Sequence, residues 1–423
     1  MNKIGNLFKG DKVIWMVFFF LCMISIVEVF SASSNLTYKS QNYMGPIIYH
    51  AFMILAGVVV AVFTLNVPCR YFKLMTPFLL LITLALLLWV LFFGEKINDG
   101  GRWIKLLGFT FQPSELAKGT MVLITAQILS ALQREDGADR RAFKYILLLL
   151  VPMTILIGVE NLSTAVLLFA VIVIMMFIGR VPLWQLGRMA AFFAILLAVV
   201  VGLVFLAGDN SDGKSDTLHK TEVAATDGSH TNAGDGESSA KSGGVLHRLS
   251  TWRSRFTKHF GNDDVPAEEY NIEENFQVGH ANIAIASSDI IGKGPGNSTE
   301  RDFLPQAFSD FIFAIIIEEM GIFGATFVVF LYIVLLYRAA RIASRCENNF
   351  PAFLIMGLSL LLVIQATFNM MVAVGLAPVT GQPLPLISKG GTSTIINCVY
   401  IGAILSVSRS AKMKKMEEIK IQN

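Results

Sequence analysis

Six ionisable side chains lie inside long apolar runs of this sequence, where a charge is costly. They are Glu28, Glu115, Lys118, Asp310, Glu318 and Glu319. Ionisable residues in membrane-embedded segments are rare and commonly mark a functional site or a buried ion pair. Each of the six could therefore serve in chemistry or in structure, and the surrounding sequence is needed to decide between the two roles.

Asp310 is the strongest candidate for chemistry. It opens a predicted helix in Ser309-Asp-Phe-Ile-Phe, directly after an irregular loop, so we expect it at the outer membrane surface within reach of water. A carboxylate in that position could act in catalysis. Alternatively, it is a simple cap, because a helix N-terminus stabilises negative charge.

The other five charges have plausible structural roles. Glu115 and Lys118 are three residues apart on one predicted helix, so they can form an ion pair. Glu318 and Glu319 are adjacent and point about 100° apart on a helix, so they should not face one partner and should anchor different neighbouring helices. Glu28 is near the outer end of its run and should reach water.

Two segments cannot form continuous helix because they are rich in glycine and proline. They are the turn Lys293-Gly-Pro-Gly-Asn and the segment 378–393, which contains Pro378, Pro383 and Pro385. Irregular backbone at membrane depth is tolerated only inside protein or along a cavity. We therefore expect a cavity that opens outward between Asp310, the segment 378–393 and the segment 98–115, although each segment alone could be a mere connection.

The elements that must position these residues are membrane-spanning helices. Of the 423 residues, 54% are hydrophobic and only 15% are charged, against about a quarter in soluble domains. Apolar runs long enough to cross a bilayer predict an all-α integral membrane protein with about ten spans. The predicted spans are 13–31, 46–66, 73–93, 114–132, 143–159, 162–179, 188–207, 309–337, 352–375 and 392–407.

The distribution of Lys and Arg predicts the orientation of these spans. Basic residues concentrate in alternate loops and at both ends, which places both termini in the cytoplasm. One extracytoplasmic loop, between helices 7 and 8, is very long. Its first part, 209–244, has the composition of a disordered insert. The remainder, 245–308, begins with a basic amphipathic stretch, 245–260, which predicts a helix on the membrane surface or packed on other loops. We treat residues 1–423 as a single membrane domain.

Several function classes lack support. The net charge of +3 does not suggest a nucleic-acid partner. No phosphate-binding loop and no metalloprotease motif is present, and no cysteine spacing suits zinc. No internal repeat is evident, which counts modestly against an inverted-repeat transporter.

Five motifs together resemble the SEDS family (shape, elongation, division and sporulation). In chain order they are Gly100-Gly-Arg-Trp-Ile, Phe111-Gln-Pro-Ser-Glu-Leu-Ala-Lys, Ile291-Gly-Lys-Gly-Pro-Gly-Asn, Asp310-Phe-Ile-Phe-Ala with Glu318-Glu319, and Pro383-Leu-Pro-Leu-Ile-Ser-x-Gly-Gly-Thr-Ser. Each motif alone is weak, but five in this order on the outer side of a ten-helix topology form a specific match. The likeness covers almost the whole chain apart from the insert.

The resemblance implies a peptidoglycan glycosyltransferase of the bacterial cytoplasmic (inner) membrane. Such enzymes polymerise lipid II on the outer face, together with a class B penicillin-binding protein that crosslinks the strands. The essential aspartate of the family falls on Asp310. A carboxylate there would take the proton of the acceptor 4-hydroxyl as a general base. The division branch of the family fits better than the elongation branch, which implies a septal location and contacts with other division proteins.

The resemblance also points to residues that would bind the substrate. The pyrophosphate leaving group needs positive charge, from Arg102, Lys118 or Arg248, or from a divalent cation such as Mg or Mn. The full set of predicted substrate-binding residues is Arg102, Lys118, Gln277, Lys293, Ser388 and Lys389, while Glu115, Glu318 and Glu319 are structural or unassigned and no metal ligand is predicted.

The sequence departs from the family pattern at four positions. They are Gln306 for glutamate, Asn161 for aspartate, Lys389 for tyrosine and His280 for glutamine. These changes leave Asp310 intact but put direct roles of the replaced positions in doubt. Two other functions remain open: a lipid II flippase or other transporter, and a non-enzymatic scaffold for the division machinery.

Overall fold

The computed structural model describes residues 9–33, 45–93, 95–97, 100–106, 109–208, 276–304 and 307–422. The predicted insert 209–244 and the predicted amphipathic helix 245–260 lie outside these residues. The chain divides into two compact units. Residues Met1–Leu186 and Ile272–Asn423 form the first, and Gly187–Asn271 form the second, of which residues 187–208 are described.

The described part of the chain contains eleven α-helices. They are α1 (Lys12–Ala32), α2 (Gly45–Asn66), α3 (Cys69–Phe93), α4 (Pro113–Ala131), α5 (Arg140–Glu160), α6 (Leu162–Ile178), α7 (Leu183–Gly208), α8 (Phe276–Ala286), α9 (Ile312–Ala343), α10 (Asn349–Ala373) and α11 (Thr392–Gln422). Each of the ten predicted spans overlaps one of these helices, with ends that differ by up to fifteen residues, and α8 is the additional helix.

The membrane character of the fold is confirmed. Among the described helices, seven are long and apolar enough to cross a bilayer, namely α1, α2, α3, α5, α9, α10 and α11. Helix α6 and the first part of α7 are shorter apolar helices. Helix α4 carries buried polar residues such as Ser114, Glu115 and Lys118, which lower its hydropathy. The total of ten spans stays a prediction.

Side-chain caps account for several helix starts. The carboxylate of Asp11 accepts hydrogen bonds from the backbone N–H groups of Val13 and Ile14 at the start of α1. Asn161 alone separates α5 from α6, and its side chain accepts from Thr164 N at the start of α6. The asparagine that replaces the family aspartate therefore still serves as a cap.

Two small antiparallel sheets add to the helical fold and were not predicted. Strands β1 (Glu95–Ile97), β2 (Gly100–Leu106) and β3 (Phe109–Phe111) pair in that order, and β4 (Gln133–Arg134) pairs with β5 (Gly137–Ala138). In the first sheet Ile104 lies opposite Phe111. The segment 98–115, which was predicted to border a cavity, therefore contains strands of a sheet, and Gln112 alone separates this sheet from α4.

Helix α10 lies at the centre of the first unit and packs against α4, α6, α9 and α11. Helix α11 also packs along α2, and α9 packs on α1. Helices α4 and α11 approach closely at Gly119, where an added Cβ atom would lie 2.4 Å from the ring of Tyr400. The hydroxyl of Tyr400 accepts from Gly119 N and donates to the carbonyl of Glu115, so polar α4 is tied into the core.

Candidate functional site

Asp310 lies in the turn that precedes α9 rather than in the helix itself. The first helical residue is Ile312, and the capping position is held by Phe311, whose side chain makes no capping hydrogen bond. Asp310 therefore lies one residue before the N-cap position of α9. The half-buried carboxylate of Asp310 accepts a hydrogen bond from Ser309 Oγ at 2.9 Å.

The backbone of this turn is held at three consecutive carbonyl groups, those of Phe308, Ser309 and Asp310. The respective donors are the backbone N–H of Lys389, the hydroxyl of Ser388 and the side-chain amide of Asn369, at 2.9, 2.5 and 2.8 Å. Because each bond restrains a different peptide group, the turn has little freedom to move the attached carboxylate. Two of the three donors belong to the irregular segment before α11.

That irregular segment is itself held inside the protein, as its composition predicted. Its carbonyl groups at Gln382, Pro383, Pro385 and Ile387 all accept hydrogen bonds from side chains. The donors are, in the same order, Asn369 at 2.7 Å, Gln365 at 3.1 Å, Tyr332, and Ser25 at 2.6 Å. Leu386 adopts the left-handed conformation, with φ of 68°, which ordinary residues keep only where the surroundings enforce it.

The strand that precedes α4 joins the same region. Thr392, the first residue of α11, donates its hydroxyl to the carbonyl of Thr110 at 2.7 Å. The three segments expected to meet, around residues 98–115, 310 and 378–393, are thus connected through Thr392 and the turn at Asp310. Their meeting point lies at the ends of α4, α9 and α11.

Glu115 and Lys118 form the predicted ion pair. Lys118 Nζ lies 2.8 Å from Glu115 Oε1 and donates to Gln365 Oε1 at 2.6 Å. Both charged side chains are almost completely buried. Lys118 therefore acts as a structural cation that orients Gln365, which in turn holds the carbonyl of Pro383.

Glu318 and Glu319 correct the expectation that they cannot face one partner. Both carboxylates bind the same loop, 293–299, which wraps around α9. Glu318 accepts from Lys293 Nζ and from the N–H and hydroxyl of Thr299, at 2.7, 3.0 and 2.9 Å. Glu319 accepts from Gly296 N at 3.0 Å and Ser298 N at 3.2 Å. A loop that wraps around a helix can contact side chains that point in two directions, whereas a neighbouring helix packs against one side.

The loop approaches so closely because α9 is broken beneath it. Gly321 has φ of 66° and ψ of −169°, which interrupts the helix. The carbonyl groups of Glu318 and Glu319 accept from the N–H groups of Lys293 and Gly294 at 2.9 and 2.8 Å. A Cβ atom on Gly321 would lie 2.3 Å from the carbonyl oxygen of Ile290, so only glycine fits at this contact.

Glu28 corrects a second expectation. Its side chain is fully buried in α1 instead of reaching water at the helix end. Within the part of the chain that the structure describes, neither carboxylate oxygen has a hydrogen-bond partner. The sequence could not show this, because the helices that enclose the C-terminal end of α1 are distant in the chain.

The comparison with known families settles the resemblance. The FtsW/RodA/SpoVE family, described as "Cell cycle protein", matches residues 11–214 and 241–413, which is most of the chain. The chain belongs to the FtsW/RodA/SpoVE family. The predicted SEDS membership is therefore confirmed.

Relatives of this family member carry names that describe an activity. A protein of Coxiella burnetii is 27% identical over 404 residues, which is 93% of this chain and 95% of the relative. A protein of Idiomarina loihiensis is 30% identical over 373 residues, which is 86% of this chain and 78% of the relative. Each is named "Probable peptidoglycan glycosyltransferase FtsW".

Two solved structures share the fold of this chain. A chain described under "Structural coordination of polymerization and crosslinking by a peptidoglycan synthase complex" matches with a TM-score of 0.66 at 22% identity, over 95% of this chain and 98% of the other. The rod shape determining protein RodA of Thermus thermophilus matches with a TM-score of 0.60 at 21% identity, over 96% and 98%.

Two further basic residues predicted to bind substrate, Lys293 and Lys389, have different surroundings in this FtsW/RodA/SpoVE protein. The ammonium of Lys293 is engaged by Glu318 and by the hydroxyls of Ser287 and Thr299, which fits a structural cation. Lys389 is half-buried, with Nζ 4.8 Å from the ring centre of Phe308, and burial lowers its pKa from the ordinary 10.5.

The remaining predicted substrate-binding residues, Ser388, Gln277 and Arg102, lie in three different parts of the fold. Ser388 is buried and accepts from Leu384 N while it donates to the Asp310 turn, so it positions backbone. Gln277 is exposed on α8. Three residues further along α8, His280 lies 2.6 Å from Glu300 and stacks on Phe303. Arg102 lies in β2, and its side chain is outside the described part of the structure.

Sequence reasoning missed the two amides of α10, Gln365 and Asn369. Neither carries a charge, so neither stood out beside the carboxylates. The available signal was their spacing, since they lie four residues apart and therefore on one face of an apolar helix. Among the described residues, no group of three or more His, Cys, Asp or Glu side chains is placed to hold a metal ion.

Proposed function

We propose that this protein is a peptidoglycan glycosyltransferase that polymerises lipid II into β-1,4-linked glycan strands during cell division. It acts on the outer face of the bacterial inner membrane, with both termini in the cytoplasm and the division septum as its location. Family membership and the FtsW names of the relatives support the reaction class. The observation that carries the assignment of the site is the Asp310 turn, whose three carbonyl groups are held while its carboxylate remains half-buried.

Asp310 acts as the general base of this reaction. Its carboxylate accepts the proton of the acceptor 4-hydroxyl, and the resulting oxygen nucleophile attacks the anomeric carbon of the donor. The bond from that carbon to undecaprenyl pyrophosphate breaks, and the pyrophosphate leaves as an anion. Attack from the opposite face inverts the α-linked donor to a β-linked product. A pyrophosphate departs without a proton, so one carboxylate suffices, unlike in inverting glycosidases.

Lys389 and Arg102 are the proposed cations for the leaving pyrophosphate. The contacts of Lys118 and Lys293 support this choice, because the ammonium groups of both residues are occupied by carboxylates of the protein. Lys389 contacts the ring of Phe308, next to the turn that carries Asp310. A cation there would stabilise charge that develops on the leaving group. A divalent cation, Mg or Mn, would supply the same stabilisation.

A class B penicillin-binding protein is the proposed partner, with other division proteins around it. The similar chain from a peptidoglycan synthase complex supports a partner of this kind. Polymerisation and crosslinking would then take place side by side on the outer surface.

The decisive test is polymerisation of lipid II by the purified protein with its cognate penicillin-binding protein. The parent should give a ladder of glycan products that a muramidase degrades, and Asp310→Asn should lower the rate at least about 100-fold. Asp302→Asn is the matched control, because Asp302 is an exposed aspartate of the same outer loop. No ladder from the parent, together with transport of lipid II across vesicles, would replace this proposal with a flippase.

A further inference from the structure

Asn369 contributes both hydrogens of its side-chain amide to the region around Asp310. Its Nδ2 atom lies 2.8 Å from the carbonyl oxygen of Asp310 and 2.7 Å from that of Gln382. The residue is 1% exposed, so water does not compete for these bonds. One side chain therefore joins the turn before α9 to the irregular segment before α11.

The orientation of this amide follows from its two partners. Both are carbonyl oxygens, which only accept hydrogen bonds, so the nitrogen must face them. The flipped orientation would place Oδ1 against two carbonyl oxygens in a buried setting. Asn369 therefore has one stable arrangement, and that arrangement fixes the distance between the two backbone segments.

Gln365, one helical turn earlier on α10, also holds a backbone carbonyl group with its side-chain amide. Its Nε2 atom donates to the carbonyl of Pro383 at 3.1 Å, and its Oε1 atom accepts from Lys118 at 2.6 Å. The two amides of α10 thus hold consecutive carbonyl groups, those of Gln382 and Pro383. The buried ion pair on α4 fixes the first amide, and the Asp310 turn is attached to the second.

We propose that Asn369 is a positioning residue for Asp310, and that Gln365 completes an amide clamp on α10 that holds the two segments in register. This inference rests on the proposed function, since it assigns a role relative to the proposed base. Asn369 acts through the backbone of Asp310 and does not itself contact the reacting groups. Its loss frees the carbonyl groups of Asp310 and Gln382 and lets the carboxylate move.

The expected effect is on turnover rather than on substrate binding. A displacement of about 1 Å at a reacting group can cost about 100-fold in rate. We expect Asn369→Ala to lower kcat about 10- to 100-fold. KM for lipid II should change by less than about threefold, because Lys389 keeps its own backbone bond to the carbonyl of Phe308 when Asn369 is replaced. Thr367→Ala is the matched control, because Thr367 is exposed on the same helix and its hydroxyl donates to the carbonyl of Val363 in that helix.

The movement of the turn can be measured without catalysis. In a background with Cys69→Ser and Cys346→Ser, which removes the two cysteines that are not buried, Asp310→Cys supplies a thiol for alkylation by a maleimide. Adding Asn369→Ala should raise the alkylation rate several-fold, and adding Thr367→Ala should not. Asn369→Asp preserves side-chain volume while it removes at least one donor, so it provides the same comparison if the alanine variant folds poorly.

Faster alkylation together with a lower kcat per folded molecule is the expected result, and the melting temperature should fall because two hydrogen bonds are lost. Unchanged alkylation, or an unchanged kcat in a protein whose Asp310→Asn variant is inactive, would overturn the role of Asn369 while the proposed function stands. Full polymerisation by Asp310→Asn itself would instead remove the proposed base, which is a separate failure.

Discussion

Asp310 lies just before α9, and Glu318 and Glu319 lie inside it, yet the protein uses hydrogen bonds differently at the two places. Around Glu318 and Glu319 the donors point at the carboxylates, which accept from backbone N–H groups, hydroxyls and Lys293. Around Asp310 three donors point at the backbone carbonyl groups of the turn, and the carboxylate accepts from the hydroxyl of the neighbouring Ser309. The first arrangement engages the carboxylates of Glu318 and Glu319 in holding a loop. The second restrains the backbone that carries the carboxylate of Asp310.

The burial of the side chains also differs between the two places. The side chains of Glu318 and Glu319 are fully buried, while that of Asp310 is half-buried. A general base has to meet the hydroxyl group of a substrate, and a loop anchor does not. A charged residue within an apolar run is therefore not by itself evidence of a catalytic role, and the burial of its side chain distinguishes a loop anchor from a candidate base.

The largest effect should come from removing a loop anchor. In Glu319→Gln, an amide NH2 group replaces an oxygen that faces N–H donors, and we expect a loss of about 3 kcal/mol or more in the free energy of unfolding. Thermal unfolding of the detergent-purified protein measures it. Glu300→Gln, which changes a partly buried partner of His280, should cost much less. Equal melting temperatures for the parent and Glu319→Gln would contradict a structural role.

A smaller but still clear effect is expected at the break in α9. Gly321→Ala adds a Cβ atom that would lie 2.3 Å from Ile290 O, so the loop must shift, and we expect about 2 kcal/mol of destabilisation. Gly296→Ala is the matched control, because Gly296 also has a positive φ, of 87°, but its Cβ atom would meet nothing within 4 Å. If both variants melt at the same temperature, close packing of the loop on α9 is not what stabilises it.

The smallest effect concerns Lys389 near the Asp310 turn. Burial lowers its pKa from the ordinary 10.5, so the ammonium loses its proton at a lower pH than an exposed lysine does. Any contribution to pyrophosphate binding is present below the lowered pKa and is lost as pH rises through it. KM for lipid II should therefore rise at alkaline pH, by about fivefold or less because the group is partly exposed.

Lys389→Arg is the control for this prediction, since a guanidinium stays charged throughout that range. Its KM should stay level over the pH interval in which KM of the parent rises. A parallel rise in both proteins would assign the pH dependence to another group.

The sequence predicted the positions of the helices well because long apolar runs are a direct physical signal. It also singled out Asp310, because a charge beside such a run is unusual. It could not predict that Glu318 and Glu319 share a loop, since that depends on how residues 293–299 wrap around α9. The roles of Gln365 and Asn369 also depend on contacts with a segment that folds back from further along the chain.

One paired measurement tests the account most directly: the rate of lipid II polymerisation and the melting temperature of Asp310→Asn and Glu319→Gln, each on the same preparation. The account predicts that Asp310→Asn melts with the parent and loses at least about 100-fold in rate, whereas Glu319→Gln melts lower and keeps its activity per folded molecule. A stable Asp310→Asn protein with full activity, or a stable Glu319→Gln protein without activity, would contradict it.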